Sequence, residues 1–156
     1  MNNGLEILIL NAGSKSANFV GIVQWAKKWD WGVGEVIAQR LCNDEFEGSD
    51  TIIVLTMNGV YAGFCVLEKR DAWGTDIDEL LTPFITALYV DPMFRGNRLS
   101  EKLIETACNL VHSSGLGAVY LISNHEGFYE KLGFEIVAQT VTLSGKTEPI
   151  FRKYLC

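Results

Sequence analysis

The sequence predicts a mixed α/β fold in a single domain, and three observations support this prediction. The chain has 156 residues, a length that fits one domain with one sizeable core. Hydrophobic residues make up 48% and charged residues 21%, which is an ordinary balance for a globular protein. Stretches with strand patterns alternate with stretches of helical spacing, without a repeat, a linker or a low-complexity segment. We therefore expect residues 1–156 to form one domain.

The first third of the chain predicts one strand and two helices. Residues 5–10 form a short apolar run typical of a strand, and residues 11–14 close it as a turn. Between residues 17 and 45 apolar positions recur at helical spacing, and residues 30–34 divide this stretch into two helices. Three tryptophans here either pack the helices onto the sheet or form an aromatic wall for a ligand. They are Trp25, Trp29 and Trp31.

The middle of the chain predicts a hairpin and a fourth strand. Residues 51–57 and 60–67 are β-rich runs separated by an Asn-Gly pair, the strongest short signal for a β-hairpin. A polar, acidic segment follows over residues 68–81. Residues 83–90 then have the pattern of a buried strand.

The last third predicts two helices and three further strands. The final strand is expected to start just after Pro149. The predicted elements are a helix over 99–111, a strand over 118–122, a short helix over 126–132, a strand over 134–141 and the final strand over 150–155.

The charge and the N-terminus exclude several classes of protein. A formal net charge of −6 argues against general nucleic-acid binding, which relies on basic surface, and fits a cationic partner better. The first ten residues lack the basic start and cleavage site of a signal peptide, and no apolar run approaches the roughly 18 residues of a membrane span. We expect a cytoplasmic protein with no nucleic-acid and no membrane partner.

The cysteines indicate reduced thiols rather than a metal site. They are widely scattered, form no CxxC pair, and with only two histidines available they match no metal-ligand spacing. We expect them to be reduced and partly buried, with no bound metal. They are Cys42, Cys65, Cys108 and Cys156.

The stretch 89–103 carries the clearest chemical signal, because a strand runs through a tight loop directly into a helix. Such a loop directs unpaired backbone N–H groups and the positive end of the helix dipole at one place, which suits a phosphate. Gly96 lets the backbone approach a ligand closely, while Arg95 and Arg98 supply charge. The alternative is a solvated basic turn. The motifs of nucleoside-triphosphate loops, dinucleotide folds and serine hydrolases do not occur.

At this loop the chain resembles the GNAT superfamily of acyl-CoA-dependent N-acyltransferases. The family's pyrophosphate loop follows a strand ending in VxP and reads [Q/R]xxGx[G/A]. Here Val90 and Pro92 match the strand end and Arg95 matches the start of the loop. Arg98 and Ser100 depart from the pattern, because the family usually has small residues there. These departures concern cofactor affinity more than the fold.

A second segment strengthens the resemblance. Residues 123–135, SNHEGFYEKLGFE, are similar to the FYEKLGFE-type segment of the superfamily, in the same order and on matching elements. The resemblance covers residues 83–141. It implies a GNAT-type fold, whose mixed, mostly antiparallel central sheet has about six to seven strands flanked by about four helices.

The resemblance also implies that acetyl-CoA is the acyl donor. Backbone groups of the fourth strand would pair with the pantetheine arm, loop amides would hold the pyrophosphate, and an asparagine after the fifth strand would support the pantetheine side. The implied cofactor-binding residues are Leu88, Tyr89, Val90, Arg95, Gly96, Asn97, Arg98, Leu99, Ser100 and Asn124.

For catalysis, Tyr129 matches the family tyrosine that protonates the departing CoA thiolate; the alternative is a core tyrosine bonded to the backbone. A primary amine must lose a proton before it attacks the thioester. Glu79 lies where several family members carry the base, and Asp76 and Asp78 are close in sequence, although each is also typical of a solvated loop. His125 is a further candidate or a surface histidine. A backbone amide near the end of the fourth strand would stabilise the tetrahedral oxyanion.

The sequence therefore predicts an N-acetyltransferase that acts by direct attack in a ternary complex. The acceptor is a small cationic amine, favoured by a closed pocket floored by the tryptophans, or a protein amine, favoured by an open groove. The alternative function is a non-catalytic acyl-CoA sensor on the same fold, motivated by Arg98 and Ser100. A homodimer is compatible with the prediction that the final strand offers a sheet edge.

Overall fold

The strands and helices follow one another in the predicted order. A computed structural model of the protein describes residues 4–13 and 18–155, and within them it has seven strands, four α-helices and one 3-10 turn. The mixed α/β prediction is confirmed. The elements are β1 (Leu5–Asn11), α1 (Asn18–Ala26), α2 (Val33–Cys42), β2 (Thr51–Met57), β3 (Val60–Glu68), β4 (Phe84–Val90), the 3-10 turn (Pro92–Phe94), α3 (Leu99–Ser113), β5 (Ala118–Ile122), α4 (Phe128–Lys131), β6 (Glu135–Val141) and β7 (Thr147–Tyr154).

The strands form one sheet in the order β1-β2-β3-β4-β5-β7-β6. β1 pairs antiparallel with β2, and β7 pairs antiparallel with both β5 and β6. β4 and β5 are parallel, as a strand-helix-strand connection requires. The prediction of a mostly antiparallel sheet of six to seven strands with about four helices is confirmed.

The β2–β3 hairpin forms as predicted, because its two connecting residues accept left-handed backbone. Asn58 has φ 51° and Gly59 has φ 82°. Positive φ at both positions matches the right-handed twist of the flanking strands. The two-residue turn thereby fixes the register of the hairpin.

The two predicted N-terminal helices are present as α1 and α2, joined by residues 27–32. The predicted start of the first helix at Ala17 and the last turn residue, Ser14, lie outside the described residues. Gly34 is required near the start of α2, since a Cβ there would lie 2.1 Å from the carbonyl oxygen of Ala26. This close approach lets α1 and α2 pack together.

The final strand begins earlier than predicted, and the prediction that it starts after Pro149 is wrong. β7 begins at Thr147, with Pro149 inside it. The Pro149 carbonyl accepts a hydrogen bond from the Ser123 N–H at 3.3 Å, beyond the last β5–β7 pair, Ile122 with Ile150. The nitrogen and the carbonyl of one residue point to the same side of a strand, so the Pro149 nitrogen faces away from β6. Its lack of an N–H therefore removes no hydrogen bond between β7 and β6.

The prediction that the final strand is a sheet edge is also wrong. β7 lies between β5 and β6, and the outer strands of the described sheet are β1 and β6. The interior position of β7 agrees with the nearly complete burial of Ile150 and Phe151. A dimer contact through an open edge of β7 is thereby excluded.

Two units each have a core of their own. In the first unit α1 and α2 pack on the sheet through residues such as Ile22, Ile37 and Phe64, and each such burial contributes roughly 1.5–3 kcal/mol. In the second unit Phe84 and Tyr120 share a smaller core. The first unit lies within Met1–Val66 and Ala87–Leu103, and the second within Leu67–Thr86 and Ile104–Cys156.

The burial of the cysteines agrees in part with the sequence prediction. Cys65 and Cys108 are buried, whereas Cys42 is exposed and Cys156 lies outside the described residues. Burial raises the pKa of the Cys108 thiol, so it stays protonated at neutral pH. Within residues 4–13 and 18–155, no group of three His, Cys, Asp or Glu side chains is arranged to hold a metal ion.

A membrane-spanning helix is not found in the described part of the chain, since none of its helices is both long and apolar enough to cross a bilayer.

Candidate active site

The loop after β4 is organised by Asp91. Its Oδ1 accepts a hydrogen bond from the Met93 N–H at 3.0 Å, and its carbonyl accepts one from the Phe94 N–H at 2.9 Å, which folds the 3-10 turn. Its Oδ2 accepts a hydrogen bond from the indole N–H of Trp25 at 3.1 Å. Asp91 therefore fixes the end of β4 to both the turn and α1.

Two residues of this loop have left-handed backbone, Gly96 with φ 89° and Arg98 with φ 58°. A glycine adopts this conformation freely, whereas an arginine loses about 1 kcal/mol. The family that the chain resembles usually has glycine at the position of Arg98. The substitution of arginine for this glycine therefore places a strained residue in the loop.

The loop leads directly into α3, because the Lys102 N–H donates to the Arg98 carbonyl at 3.2 Å. α3 has 15 residues, and its first N–H groups and the positive end of its dipole favour an anion. The side chain of Arg98 is exposed, and that of Ser100 is half-buried. The backbone and charge of this loop therefore fit the phosphate groups that the sequence predicts.

The guanidinium of Arg95 is held by protein groups. Its Nε donates to the Val90 carbonyl at 2.9 Å, and its two terminal nitrogens donate to Asp30, at 3.1 Å to Oδ2 and 2.9 Å to Oδ1. Its carbon Cζ lies 5.6 Å from the centre of the Tyr89 ring. The hydrogen bonds with Asp30 raise the pKa of Arg95 above its usual range, and those with Arg95 and Tyr89 lower the pKa of Asp30.

Tyr89 is buried, with 4% of its surface exposed, and its hydroxyl donates to Asp30 Oδ1 at 2.7 Å. Burial, together with this bond to the Asp30 carboxylate, raises the pKa of Tyr89 to about 12. Sequence reasoning missed Asp30, which is 59 residues from Tyr89 and 65 from Arg95. Its position beside two tryptophans is the only local signal that could have drawn attention to it.

The tryptophans divide between the two predicted roles. Trp25 and Trp29 belong to the core of the first unit, and Trp29 stacks on Tyr89 with centroids 4.2 Å apart. Trp31 lies nearly parallel to Tyr89 at 6.3 Å but is 43% exposed. The packing prediction thus describes Trp25 and Trp29, while Trp31 offers an aromatic face to solvent.

β4 bends just before its predicted cofactor-binding segment. Ala87 has φ 52°, a strained value for a residue with a side chain. Before the bend, Phe84 pairs in parallel with Tyr120 of β5. The backbone of residues 88–90, which the resemblance assigns to the pantetheine arm, follows the bend directly.

In the second unit, Tyr129 lies on α4 and only 7% of its surface is exposed. The rings of Phe128, Phe151 and Phe134 surround it at centroid distances of 5.0, 5.4 and 6.0 Å. Burial raises the pKa of Tyr129, and a hydrogen bond with the Ser123 side chain partly opposes the shift. The phenol is therefore protonated at neutral pH.

Two glycines position Tyr129 by delimiting α4. Gly127 has φ 87°, and its N–H donates to Glu130 Oε1 at 3.1 Å, which caps the start of the helix. Gly133 has φ 94° and ends it, after which the Phe134 N–H donates to the Tyr129 carbonyl at 3.1 Å. The FYEKLGFE-type segment is thus a short helix that fixes one tyrosine.

Asn124 and His125 follow the end of β5, and both are exposed. The His125 N–H donates to the Ser123 hydroxyl oxygen at 3.1 Å. Ser123 is buried and also bonds Tyr129, so it links this turn to the predicted general acid.

The predicted bases lie on the connection between β3 and β4. Glu79 is 85% exposed and forms an ion pair with Arg70 at 3.1 Å. Asp78 accepts a hydrogen bond from the Leu80 N–H at 2.9 Å, and Asp76, with φ 53°, lines a cavity of about 360 Å³ together with Arg70. These acids are accessible to water, as the solvated-loop interpretation predicts.

Sequence reasoning missed a buried acid, Glu68, at the end of β3. It is 8% exposed, and its Oε2 accepts a hydrogen bond from the Thr86 hydroxyl of β4. Burying a carboxylate is costly unless it is hydrogen-bonded, so this pair is a defined feature of the second unit. The available signal was its place at the end of an uninterrupted apolar strand.

Solved structures share this fold at low sequence identity. A GNAT-family protein from Desulfovibrio desulfuricans has a TM-score of 0.73 and 13% identity over 97% of this chain and 99% of its own. An acyl-CoA N-acyltransferase from Pseudomonas aeruginosa has a TM-score of 0.71 and 14% identity over 96% and 99%. The ribosomal-protein-S18-alanine N-acetyltransferase of Escherichia coli has a TM-score of 0.61 and 19% identity over 96% and 94%.

Sequence comparison gives the family directly. No curated protein matches the chain. The family model described as "Acetyltransferase (GNAT) domain" matches residues 48–136, more than half of the chain, and this range contains both the loop before α3 and Tyr129. The chain is thus an acyltransferase and belongs to the GNAT acetyltransferase family.

Proposed function

We propose that the protein transfers an acetyl group from acetyl-CoA to a primary amine by direct attack in a ternary complex, with residues 1–156 acting as one catalytic domain. The observation that carries this proposal is Tyr129, a buried phenol kept protonated by its surroundings. A sensor that only binds the cofactor has no need of such a proton donor.

Tyr129 acts as the general acid. The amine nitrogen forms a bond to the carbonyl carbon of the thioester. As the C–S bond breaks, its electron pair moves to sulfur, and the Tyr129 hydroxyl gives its proton to the departing thiolate. The nitrogen then loses its second proton, which returns through water to the Tyr129 oxygen. A thiol has an ordinary pKa of about 8.5, lower than that of a phenol, so proton transfer from Tyr129 to a fully formed thiolate is unfavourable. Tyr129 therefore acts while negative charge develops on sulfur in the transition state. The hydrogen bond with Ser123 orients the hydroxyl and stabilises the tyrosinate that remains.

The cofactor is held by backbone groups and by the positive charge of Arg98. Amides of residues 95–100 and the N-terminus of α3 bind the pyrophosphate, the backbone of residues 88–90 pairs with the pantetheine arm, and Asn124 supports its side. When bound, acetyl-CoA supplies an activated thioester, so a neutral amine needs positioning more than activation. A backbone amide near Tyr89 or Val90 stabilises the oxyanion.

Glu79 accepts the proton that the ammonium loses before attack, since an alkyl amine has a pKa of about 10.4. Glu68 offers a contrast, because it is buried whereas Glu79 is exposed. We expect Glu79→Gln to lower turnover at pH 7 about tenfold and Glu68→Gln to leave it nearly unchanged. The reverse result would assign the base to the buried carboxylate.

The acceptor is a small cationic amine or a protein amine. The net charge of −6 and the exposed face of Trp31 favour a small cation. The structural similarity to an enzyme named for acetylating an alanine of ribosomal protein S18 supports a protein amine. Thiol release over a panel of polyamines, amino sugars and peptides with free N-termini distinguishes the two.

A non-catalytic acyl-CoA sensor is the second candidate, favoured by the strained Arg98 in the loop. Calorimetry with acetyl-CoA, followed by thiol release with amines, separates the candidates: binding with turnover supports the enzyme, and binding without turnover supports the sensor. Absence of binding would overturn both. We place either activity in the cytoplasm, where reduced thiols such as that of Cys108 persist.

A further inference from the structure

Asp30 joins three parts of the first unit. It lies between α1 and α2, accepts a hydrogen bond from the Tyr89 hydroxyl on β4 at 2.7 Å, and accepts two from the guanidinium of Arg95 at 2.9 and 3.1 Å. The third guanidinium contact runs from Arg95 Nε to the Val90 carbonyl at 2.9 Å. These four residues, Asp30, Tyr89, Val90 and Arg95, are called the Asp30 clamp below.

The clamp engages Arg95 in a bidentate pair, the geometry in which a guanidinium binds a carboxylate most strongly. The pair uses one N–H of each terminal nitrogen, which leaves only the outer N–H groups of this half-exposed side chain for a phosphate. The negative charge of Asp30 would also repel that phosphate. Three of the five N–H groups of Arg95 are therefore directed at protein groups.

The α1–α2 connection gives Asp30 a rigid position. Its neighbour Trp29 is 8% exposed and stacks on Tyr89 with an angle of 15° between the rings. The residue after Asp30, Trp31, also has its ring nearly parallel to that of Tyr89, at an angle of 15°. The rings of Trp29 and Trp31 are at 12° to one another. The packing of Trp29 on Tyr89 thus fixes the backbone directly before Asp30 against β4.

Arg98 remains as a charge for the phosphates. Its side chain is exposed and makes no ion pair with another described residue, and its carbonyl already starts α3. The two arginines of the loop therefore differ. Arg95 is bound to protein groups near β4, and Arg98 is exposed at the end of the loop next to α3.

We propose that Asp30 is a positioning residue for the cofactor loop, acting through Arg95, and that Arg95 fixes the loop against β4 rather than contacting phosphate. The proposal rests on the proposed function, since it assumes that the loop binds acetyl-CoA. It adds a residue from outside the loop that sets cofactor affinity.

A double-mutant cycle tests this role by calorimetry with acetyl-CoA. We expect Asp30→Asn and Arg95→Gln each to weaken binding about tenfold, and the double variant to be within about twofold of either single variant, because both break the same clamp. The KM for acetyl-CoA should rise accordingly, while kcat and the KM for the amine stay within about twofold.

Arg95→Lys separates a clamp from a phosphate contact. A lysine keeps the charge but cannot form the bidentate pair, so the clamp predicts a loss as large as that of Arg95→Gln, whereas a point-charge contact with phosphate predicts nearly wild-type affinity. Glu135→Gln is the matched control, because it breaks a comparable pair with Arg152, at 2.9 Å, on β6 and β7. It should leave acetyl-CoA affinity unchanged.

Three results would overturn the proposal: tighter binding by Asp30→Asn, additive losses in the double variant, or wild-type affinity in Arg95→Lys. Thermal unfolding of each variant checks that it is folded. Tyr89→Phe removes the hydroxyl bonds to Asp30 but keeps the ring and the Arg95 pair, and should give a smaller loss in the same direction. If the wild-type protein itself does not bind acetyl-CoA, the proposed function fails and this role of Asp30 fails with it.

Discussion

Tyr89 and Tyr129 are both buried tyrosines with raised pKa values, yet their hydroxyls have different partners. Tyr89 donates to the Asp30 carboxylate at 2.7 Å, and burial and this bond raise its pKa to about 12. Tyr129 bonds the neutral hydroxyl of Ser123, which partly opposes the effect of burial on its pKa. A carboxylate partner locks the proton in place, whereas a hydroxyl partner can stabilise the anion left after the proton departs.

The difference shows how two similar side chains take separate tasks in the proposed enzyme. The hydroxyl of Tyr89 is part of the clamp that orders the loop before α3. Tyr129 keeps a transferable proton in a ring of phenylalanines. Variants at the two positions should therefore affect different steps of the reaction.

The largest expected effect comes from Tyr129→Phe. Removing the proton donor should lower kcat about a hundredfold, since general acid catalysis contributes at least that much, while the Kd for acetyl-CoA stays within about twofold. Thiol release and calorimetry measure the two quantities. An unchanged kcat would show that Tyr129 is only a core residue.

Tyr89→Phe should give the opposite pattern. The variant loses the hydrogen bond to Asp30 Oδ1 at 2.7 Å and the longer one accepted from the Asp30 N–H at 3.4 Å. This loss should weaken acetyl-CoA binding about fivefold, with kcat within about twofold of wild type. Steady-state kinetics with acetyl-CoA varied at a saturating amine measure both. A fall in kcat as large as that of Tyr129→Phe would abolish the distinction between the two tyrosines.

Arg98→Gly tests whether the loop backbone is strained at this position. Glycine relieves the left-handed strain at φ 58°, so the free energy of unfolding should rise by about 1 kcal/mol. Arg98→Ala removes the same charge but keeps the strain, and should not stabilise the protein. Urea unfolding of both variants gives the comparison, and equal stabilities would contradict the strain.

The last prediction concerns alkaline stability. Because the folded-state pKa of Tyr89, about 12, exceeds its ordinary value of 10, its contribution to stability is fully present below pH 10 and is lost as the pH rises towards 12. Tyr89→Phe should therefore flatten the fall in melting temperature over this range. Tyr154→Phe, at an exposed tyrosine, serves as the control.

Local signals predicted most of the fold. Asn58 and Gly59 specify their hairpin because both accept positive φ, and the helical spacing of residues 99–111 corresponds to α3. Pro149 was misread because its effect depends on which neighbour its nitrogen faces. That neighbour is set by β5, nearly 30 residues earlier, and no local pattern reveals it.

The candidate site was predictable only where its residues are consecutive. The loop before α3 and the segment around Tyr129 are visible as motifs. Asp30 and Glu68 depend on contacts with residues elsewhere in the chain, Arg95 and Thr86 respectively. The tryptophans beside Asp30 and the apolar strand before Glu68 draw attention to these acids but do not identify their partners. Roles that arise from such pairs require the structure.

Thiol release from acetyl-CoA by the wild-type protein, measured over a panel of amines, decides whether the protein is an enzyme. We expect release that requires an amine, saturates with both substrates and is slowed by Tyr129→Phe. Tight binding of acetyl-CoA without release on any amine would contradict this expectation and leave the protein a sensor.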